Sequence, residues 1–535
     1  MNRTWVSYGI FFIAVIGLSW FYGLFNTMDR GPYSRHAWRQ SDCLSITQNY
    51  YDRDAPFLEP EIHWLGENQD SKTISEFPII YYTVAQIWKA SGKHYWIYRL
   101  LDYLIFVIGL LYLFKLSRRL IHDRFWSLFV PLLFFTSPVI AYYANNFIMN
   151  VNALALAFVG MYHFFEHAKN GRHRSLVFGC LIFALAGLFK ITALLFFVAY
   201  AGYLFFKVIR NKEGINGLKQ FMPFIGTILV IVVWYNYAQG YNSEHTSVVF
   251  LQGILPIWEL SSEDIANNWR LLHAELAPLV IHPITLIVSI GLFVIALIRK
   301  SGRGSIQMQL AGLLLIGIIA YFVLFFQVFN QHEYYMINLL IILPVIWIGF
   351  FKIFSESRLL HSWWMKTIGV LFIAFLAYSC AVQTRIKYSV SEKWVAESPL
   401  IDEETFGNWN WFHWDYGETN KHLENIEPYL EEIGITKNDT VLSIPDPSIN
   451  ISLYLMNRKG YTNFWYMEKP ENRELVGKDR LLKPIEWGAK YIIVNNRAFW
   501  NDTNNRYLLQ DSIGTFGNTR IYRVPDYLSP SSMSR

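Results

Sequence analysis

About eleven apolar runs, most of them near the length a helix needs to cross a bilayer's hydrocarbon core, constrain this 535-residue chain more than any other feature. They lie at 5–25, 97–116, 125–143, 150–168, 175–189, 191–208, 221–238, 277–298, 308–328, 335–353 and 364–383. Backbone groups in lipid must find their partners within the protein, and barrel strands would be shorter and would alternate in polarity, so the runs are read as helices. Composition agrees. The chain is 53% hydrophobic and only 16% charged, whereas soluble domains average roughly a quarter charged. The first run is too long for a removable signal peptide and lacks a convincing small-residue cleavage site. A multi-pass α-helical membrane protein is expected.

Short connections set its orientation through their Lys and Arg content. Arg3, Lys115, Arg118, Arg119, Arg124, Lys169, Arg172, Arg174, Lys207, Arg210, Lys212 and Lys219 fall on one side, as do Arg299, Lys300, Arg303, Lys352, Arg358 and Lys366. The loops at 239–276 and 329–334 carry almost no basic residue, Arg270 excepted. The basic side is therefore cytoplasmic. The N-terminus lies there, and the long polar loop 26–96 and everything beyond about residue 384 lie outside. The formal charge of +5 follows from this asymmetry. It calls for contact with membrane lipids and for no nucleic acid.

The three cysteines offer no disulfide framework, since Cys180 and Cys380 sit in apolar runs and Cys43 stands alone in the loop. An exported region without a cysteine pair fits a bacterial periplasm, and hence the cytoplasmic (inner) membrane, at least as well as a eukaryotic lumen. The sequons at Asn438, Asn450 and Asn501 are short enough to arise by chance. Near Lys387 the composition turns polar. Residues 1–385 are expected to form the membrane domain and 386–535 a small extracytoplasmic α/β domain. In the latter, a helix is expected over 416–432, strands over 440–444 and 489–494, a short helix over 452–457 and a hairpin over 514–524. It has no Gly-rich phosphate loop and no nucleophile elbow, so a lid or acceptor-binding role is expected of it, without catalytic groups.

Chemistry is then sought among the polar residues of the outer face. Asp42 follows Arg39 by three residues, which puts both on one helical face. Its carboxylate can take a proton from an incoming hydroxyl, with Arg39 or His36 tuning it; an interfacial salt bridge is the plainer reading. Glu76 precedes Phe77-Pro78 where the loop returns to the membrane surface. Lys190 interrupts an apolar stretch at the outer end of two adjoining runs, where a cation either holds a phosphate or snorkels to anchor a helix end. His332, Glu333 and Tyr335 form a second polar cluster whose His and Tyr can donate to phosphate oxygens, although an aromatic belt would also explain the tyrosines. Asn145, Asn146 and Asn150 offer amides to a sugar.

Together these residues resemble the GT-C superfamily of membrane glycosyltransferases, close to the protein O-mannosyltransferases and the lipid A aminoarabinose transferases of glycosyltransferase family 39 type. The resemblance covers residues 1–385. It matches an acid in the first outer loop to Asp42 within Arg39-Gln40-Ser41-Asp42, and a second acid before a proline-containing return to Glu76-Phe77-Pro78. Where members often carry an acid before the fourth span, Asn150 stands here. Lys190-Ile-Thr192 and His332-Glu333-Tyr334-Tyr335 resemble segments near the lipid phosphate. The resemblance implies transfer of a sugar from a polyprenyl-phosphate donor to a lipid, glycan or protein acceptor at the outer face. Asp42 and Glu76 would be the catalytic carboxylates. His36, Arg39, Gln40, Asn146, Asn150, Lys190, His332, Glu333 and Tyr335 would bind substrate. No cofactor is expected, although Asp42 and Glu76 leave a divalent cation open. The rival from another class is a transporter or flippase of polyprenyl-linked sugars. That would call for midplane ionisable residues and paired repeats, and this chain has its polarity at one face.

Overall fold

In the computed structural model, which describes residues 3–245, 247, 249–250, 253–464 and 477–528, every apolar run carries helix. Among the described residues, six helices are long and apolar enough to cross a membrane: Tyr95–Leu120, Ile191–Arg210, Lys219–Glu244, Ile306–Leu324, Glu333–Ile353 and Trp363–Arg385. Ser262–Val280 and Pro283–Ile298, bent by 88°, make a seventh if counted as one span. Trp5–Phe21, Arg124–Phe134 and His173–Phe189 are shorter apolar helices, and the run at 150–168 is the helix Asn150–Asn170. Val233, Ile287, Ile316 and Leu371 stand exposed on these helices. Water would penalise such a surface; lipid does not.

The runs that break do so for local reasons. The stretch at 125–143 divides into Arg124–Phe134 and Pro138–Tyr143. Proline at the first helical position cannot bond backward, and the Ser137 hydroxyl caps the new N-terminus by accepting from Ile140 N–H. The bent pair breaks at His282-Pro283 in the same way. Between His173–Phe189 and the 3-10 turn Ile191–Leu194, Lys190 is extended. That places a helix boundary at the lysine.

The chain divides into two compact units. The first comprises Met1–Asp29, Tyr98–Trp234 and Gly253–Ile386 and holds most of the apolar helices. The second comprises Arg30–Ile97, Tyr235–Gln252 and Lys387–Arg535. The expected division at residue 386 is therefore only one of several crossings, because the first outer loop groups with the tail.

Among the described residues of the second unit, five strands form one sheet in the order β2-β1-β3-β5-β4. They are β1 (Val441–Ile444), β2 (Gly460–Thr462), β3 (Tyr491–Val494), β4 (Asp511–Phe516) and β5 (Thr519–Arg523). β1 pairs parallel with β2 and β3, while β3, β5 and β4 pair antiparallel. Gly517, at φ +56°, turns the hairpin between the last two. Leu442, Ile444, Ile492, Val494 and Tyr522 bury one core. The helix expected over 416–432 is instead three pieces, Glu403–Thr419, Lys421–Asn425 and Glu427–Glu432. Asn420 sits at the first break, and Pro428 starts the last piece.

The outer loop extends this sheet. Gly460 N–H donates to His63 O at 3.0 Å, and Leu65 N–H donates to Gly460 O at 2.9 Å. Gly460 is pressed so closely on β1 that an added Cβ would lie 1.9 Å from the Val441 carbonyl oxygen. Gly460→Ala should therefore destabilise this unit by about 1–3 kcal/mol through overpacking, read as a lower thermal midpoint and faster proteolysis in the tail; an unchanged midpoint would contradict the register.

Candidate active site

The helix Ala37–Asp52 begins at His36, which adopts a left-handed conformation at φ 54°. Upstream, the Gln40 amide donates to Tyr33 O and Arg35 O and accepts from Tyr33 N–H. Gln40 thus folds its own turn, with its amide bonded to the backbone of residues 33 and 35.

One helical turn of this segment carries Arg39, Asp42 and Cys43 to a common face. Arg39 Nη2 donates to Glu76 Oε1 at 2.6 Å and to Ser75 Oγ at 3.1 Å. Tyr81, on the helix Ile79–Ser91, donates to Glu76 Oε2 at 2.9 Å, and Ser75 donates to the same oxygen. The guanidinium also meets Phe250, whose ring centroid lies 4.6 Å from Arg39 Cζ. Asp42 Oδ2 lies 3.8 Å from Arg39 Nη1. Its Oδ1 accepts from Asn450 Nδ2 at 2.5 Å. Asp42 and Glu76 are buried, at 3% and 5% exposure.

Burial pushes the Asp42 carboxyl from its usual 3.8 up to about 7; Arg39 opposes the rise, Glu76 adds to it, and the Asn450 hydrogen bond opposes it. The expected tuning by Arg39 is therefore present, though secondary to desolvation, and His36 is not among the causes. Arg39 Nη1 and Asn450 Oδ1 are buried without a hydrogen-bond partner. A hydroxyl arriving beside Asp42 would meet a donor and an acceptor. Nearby, His63 bridges Ser45 and Asn457 and is held neutral by burial; it is a structural strut between the loop and the tail.

The remaining candidates gather in the first unit. Lys190 Nζ lies 5.5 Å from the Tyr335 ring centroid, and His332 stacks on Tyr335 with centroids 5.7 Å apart. Glu333, fully buried, accepts from Tyr143 Oη at 3.1 Å. Asn150 Nδ2 donates to Tyr334 O at 2.9 Å, and Asn338 Nδ2 donates to Thr192 Oγ1 at 3.0 Å. The segment Glu333–Ile341 is a 3-10 helix, so the span expected from 335 begins with tight turns. Asn146 Oδ1 accepts from Phe147 N–H, leaving its Nδ2 unpaired, while Asn150 retains an unpaired Oδ1. Between them they offer one donor and one acceptor. The candidates thus form two groups, His36, Arg39, Gln40, Asp42 and Glu76 in one unit and the rest in the other. Among the described residues, no three His, Cys, Asp or Glu side chains converge as a metal-ligand set.

Residues 75–236 match the family described as dolichyl-phosphate-mannose-protein mannosyltransferase. Apo ArnT from Cupriavidus metallidurans aligns with a TM-score of 0.60 at 11% identity, over 98% of this chain and 99% of that one. ArnT from the same organism bound to undecaprenyl phosphate aligns at 0.57 and 13%, over 99% of each. The chain has the GT-C fold. A form of the mycobacterial arabinofuranosyltransferase AftD aligns at 0.51 and 13%, over 92% of this chain and 37% of that one. No curated protein matches in sequence.

Four polar residues of this GT-C fold were not among the sequence candidates. Asn450 was visible only as a sequon, because its role depends on a partner more than four hundred residues away. Tyr81 sat unremarked five residues after Glu76. Arg99 and Asp102, fully buried in Tyr95–Leu120, bond to Asn145 O and Asn152 respectively. Their presence inside an apolar run was the available signal.

Because the folded state raises the Asp42 pKa, its contribution to stability is full below about pH 4 and is lost as pH rises towards 7. The thermal midpoint of the wild type minus that of Asp42→Asn should fall over this window. Asn450→Ala removes a group that lowers the pKa and should carry the fall to higher pH. A flat difference would place Asp42 in water.

Proposed function

We propose that this GT-C chain is a glycosyltransferase that moves a sugar from a polyprenyl-phosphate carrier to a hydroxyl of a lipid, glycan or protein acceptor at the outer face of the cytoplasmic membrane. The observation that carries the reading is the buried Asp42, bonded to Asn450 and set beside the Arg39–Glu76 pair. A base working near neutral pH needs a pKa near neutrality, and an unperturbed aspartate is too weak.

In the proposed step, Asp42 accepts the acceptor's hydroxyl proton while the oxygen attacks the anomeric carbon. The bond from that carbon to the phosphate oxygen breaks, its electron pair leaves with the phosphate, and the configuration inverts. Glu76 does not exchange protons in this scheme. With its oxygens occupied by Arg39, Ser75 and Tyr81, it acts as a positioning residue that holds Arg39 beside Asp42. Lys190 and His332 meet the donor phosphate, since an ionisable residue at a helix break near the interface suits an anion entering from lipid. The match over residues 75–236 and the undecaprenyl phosphate bound by ArnT support the choice of donor class. The reading requires no metal, because the cations it uses are side chains.

Assay of the purified chain with a polyprenyl-phosphate sugar tests both roles. Asp42→Asn should lower kcat by about 10²–10⁴-fold, the range of general-base catalysis, with donor affinity kept and EDTA without effect on the wild type. Lys190→Met should weaken donor binding far more than acceptor binding, and Lys190→Arg should retain part of it. Wild-type turnover by Asp42→Asn, or equal loss of both substrates in Lys190→Met, would remove the respective assignment.

A further inference from the structure

The first unit contains a cavity of about 310 Å³ that the proposed transfer does not use. Its lining includes Arg119, His122, Lys169 and Lys352, together with Tyr203 and Gln307. These residues belong to the end of the helices that the basic-loop rule assigns to the cytoplasm. Four groups that carry or can carry positive charge around one small space repel one another unless an anion sits among them.

One of the four, Arg119, has a carboxylate partner, and among the described residues the two lysines do not. Glu166 bonds Arg119 Nε at 2.9 Å and accepts from Asn170. Asp123, next to His122 in sequence, bonds Lys366 at 2.9 Å, caps the helix Arg124–Phe134 and lies 3.4 Å from His361. Among the described residues, neither Lys169 nor Lys352 has a carboxylate within ion-pair distance.

A second and independent observation comes from Gln307. Its side chain is fully buried, lines the cavity, and has neither Oε1 nor Nε2 hydrogen-bonded. A buried amide with both ends unpaired is a cost that folds avoid unless something settles it. Gln307 packs directly against the backbone of Gly349 on the neighbouring helix, where an added Cβ would meet Gln307 Cβ at 2.8 Å. The Nε2 group can donate to an anionic oxygen, and Oε1 can accept from a hydroxyl.

We propose that this cavity binds a phosphate-bearing anion, and that its source is the headgroup of an anionic phospholipid. Lys169 and Lys352 neutralise the phosphate, Gln307 donates to one of its oxygens, and the glycerol hydroxyls are met by Gln307 Oε1 and Tyr203. Basic clefts between membrane helices at the cytoplasmic side are where such headgroups gather. The site is separate from sugar transfer and stands whether or not that reading holds.

The test is native mass spectrometry of the full chain, titrated with phosphatidylglycerol, phosphatidylcholine or glycerol 3-phosphate. Phosphatidylglycerol should bind in preference to phosphatidylcholine. The double variant Lys169→Gln, Lys352→Gln should weaken it by about 25-fold, from roughly fivefold per lysine, and the corresponding double arginine variant should keep most of the affinity. Gln307→Leu, which leaves every cation in place, should weaken it several-fold and decides the matter if the lysine variants fail to fold. Equal binding of glycerol 3-phosphate would make the source a soluble phosphate ester and uphold the phosphate site. Equal binding of phosphatidylcholine, or wild-type affinity in both the double lysine and Gln307 variants, would overturn the proposal.

Discussion

The ion pair between the half-buried Arg39 and the buried Glu76 organises the second unit. Removing two ions from water costs several kcal/mol apiece, and only close contact with further hydrogen bonds recovers that cost. Both conditions are met: the contact is 2.6 Å, Ser75 and Tyr81 complete the carboxylate's coordination, and Phe250 covers the guanidinium. The pair therefore ties the helix Ala37–Asp52 to the return segment that begins the helix Ile79–Ser91. Asp42 is then a second acid beside a single guanidinium. With Glu76 holding the cation, the proton affinity falls to Asp42, whose carboxyl rises to about 7 chiefly through burial.

The tail contributes to that environment. Its sheet takes the outer loop as an added edge through Gly460, and the residue preceding the helix Ile451–Met456, Asn450, reaches Asp42. The tail, of which no catalytic group was expected, brings the Asn450 amide to Asp42 as a hydrogen-bond donor. The chain is long in sequence at this point and short in space, which is why a loop near residue 40 and a turn near residue 450 form one polar cluster.

Much of the architecture was legible because lipid narrows the choices. The apolar runs could only be helices, and the lysine at 190 marked a helix end, as observed. Strands at Val441–Ile444 and Tyr491–Val494 and the hairpin around Gly517 followed from short β-branched runs and turn residues. What escaped was long-range. Periodicity reports which face of a segment is buried, and it is silent on what buries it. Hence the grouping of residues 30–97 with the tail, the pairing of Arg39 with Glu76 rather than chiefly with Asp42, and the commitment of Gln40 to its own turn were all outside its reach. Arg39 and Asp42 were found by an i, i+3 argument that holds geometrically, at 3.8 Å, while the stronger bond went elsewhere.

The central claim is that Arg39 and Glu76 act as one electrostatic unit that positions Asp42. A double-mutant cycle of Arg39→Met and Glu76→Gln, read by chemical denaturation of the purified chain, addresses it directly. Each single change should cost about 3–5 kcal/mol by stranding a charge or a hydrogen-bonding partner. The double variant should cost less than the sum by at least about 1.5 kcal/mol. Losses that add to within about 0.5 kcal/mol would mean that the two side chains do not depend on each other, and the account of the site would fail at its foundation.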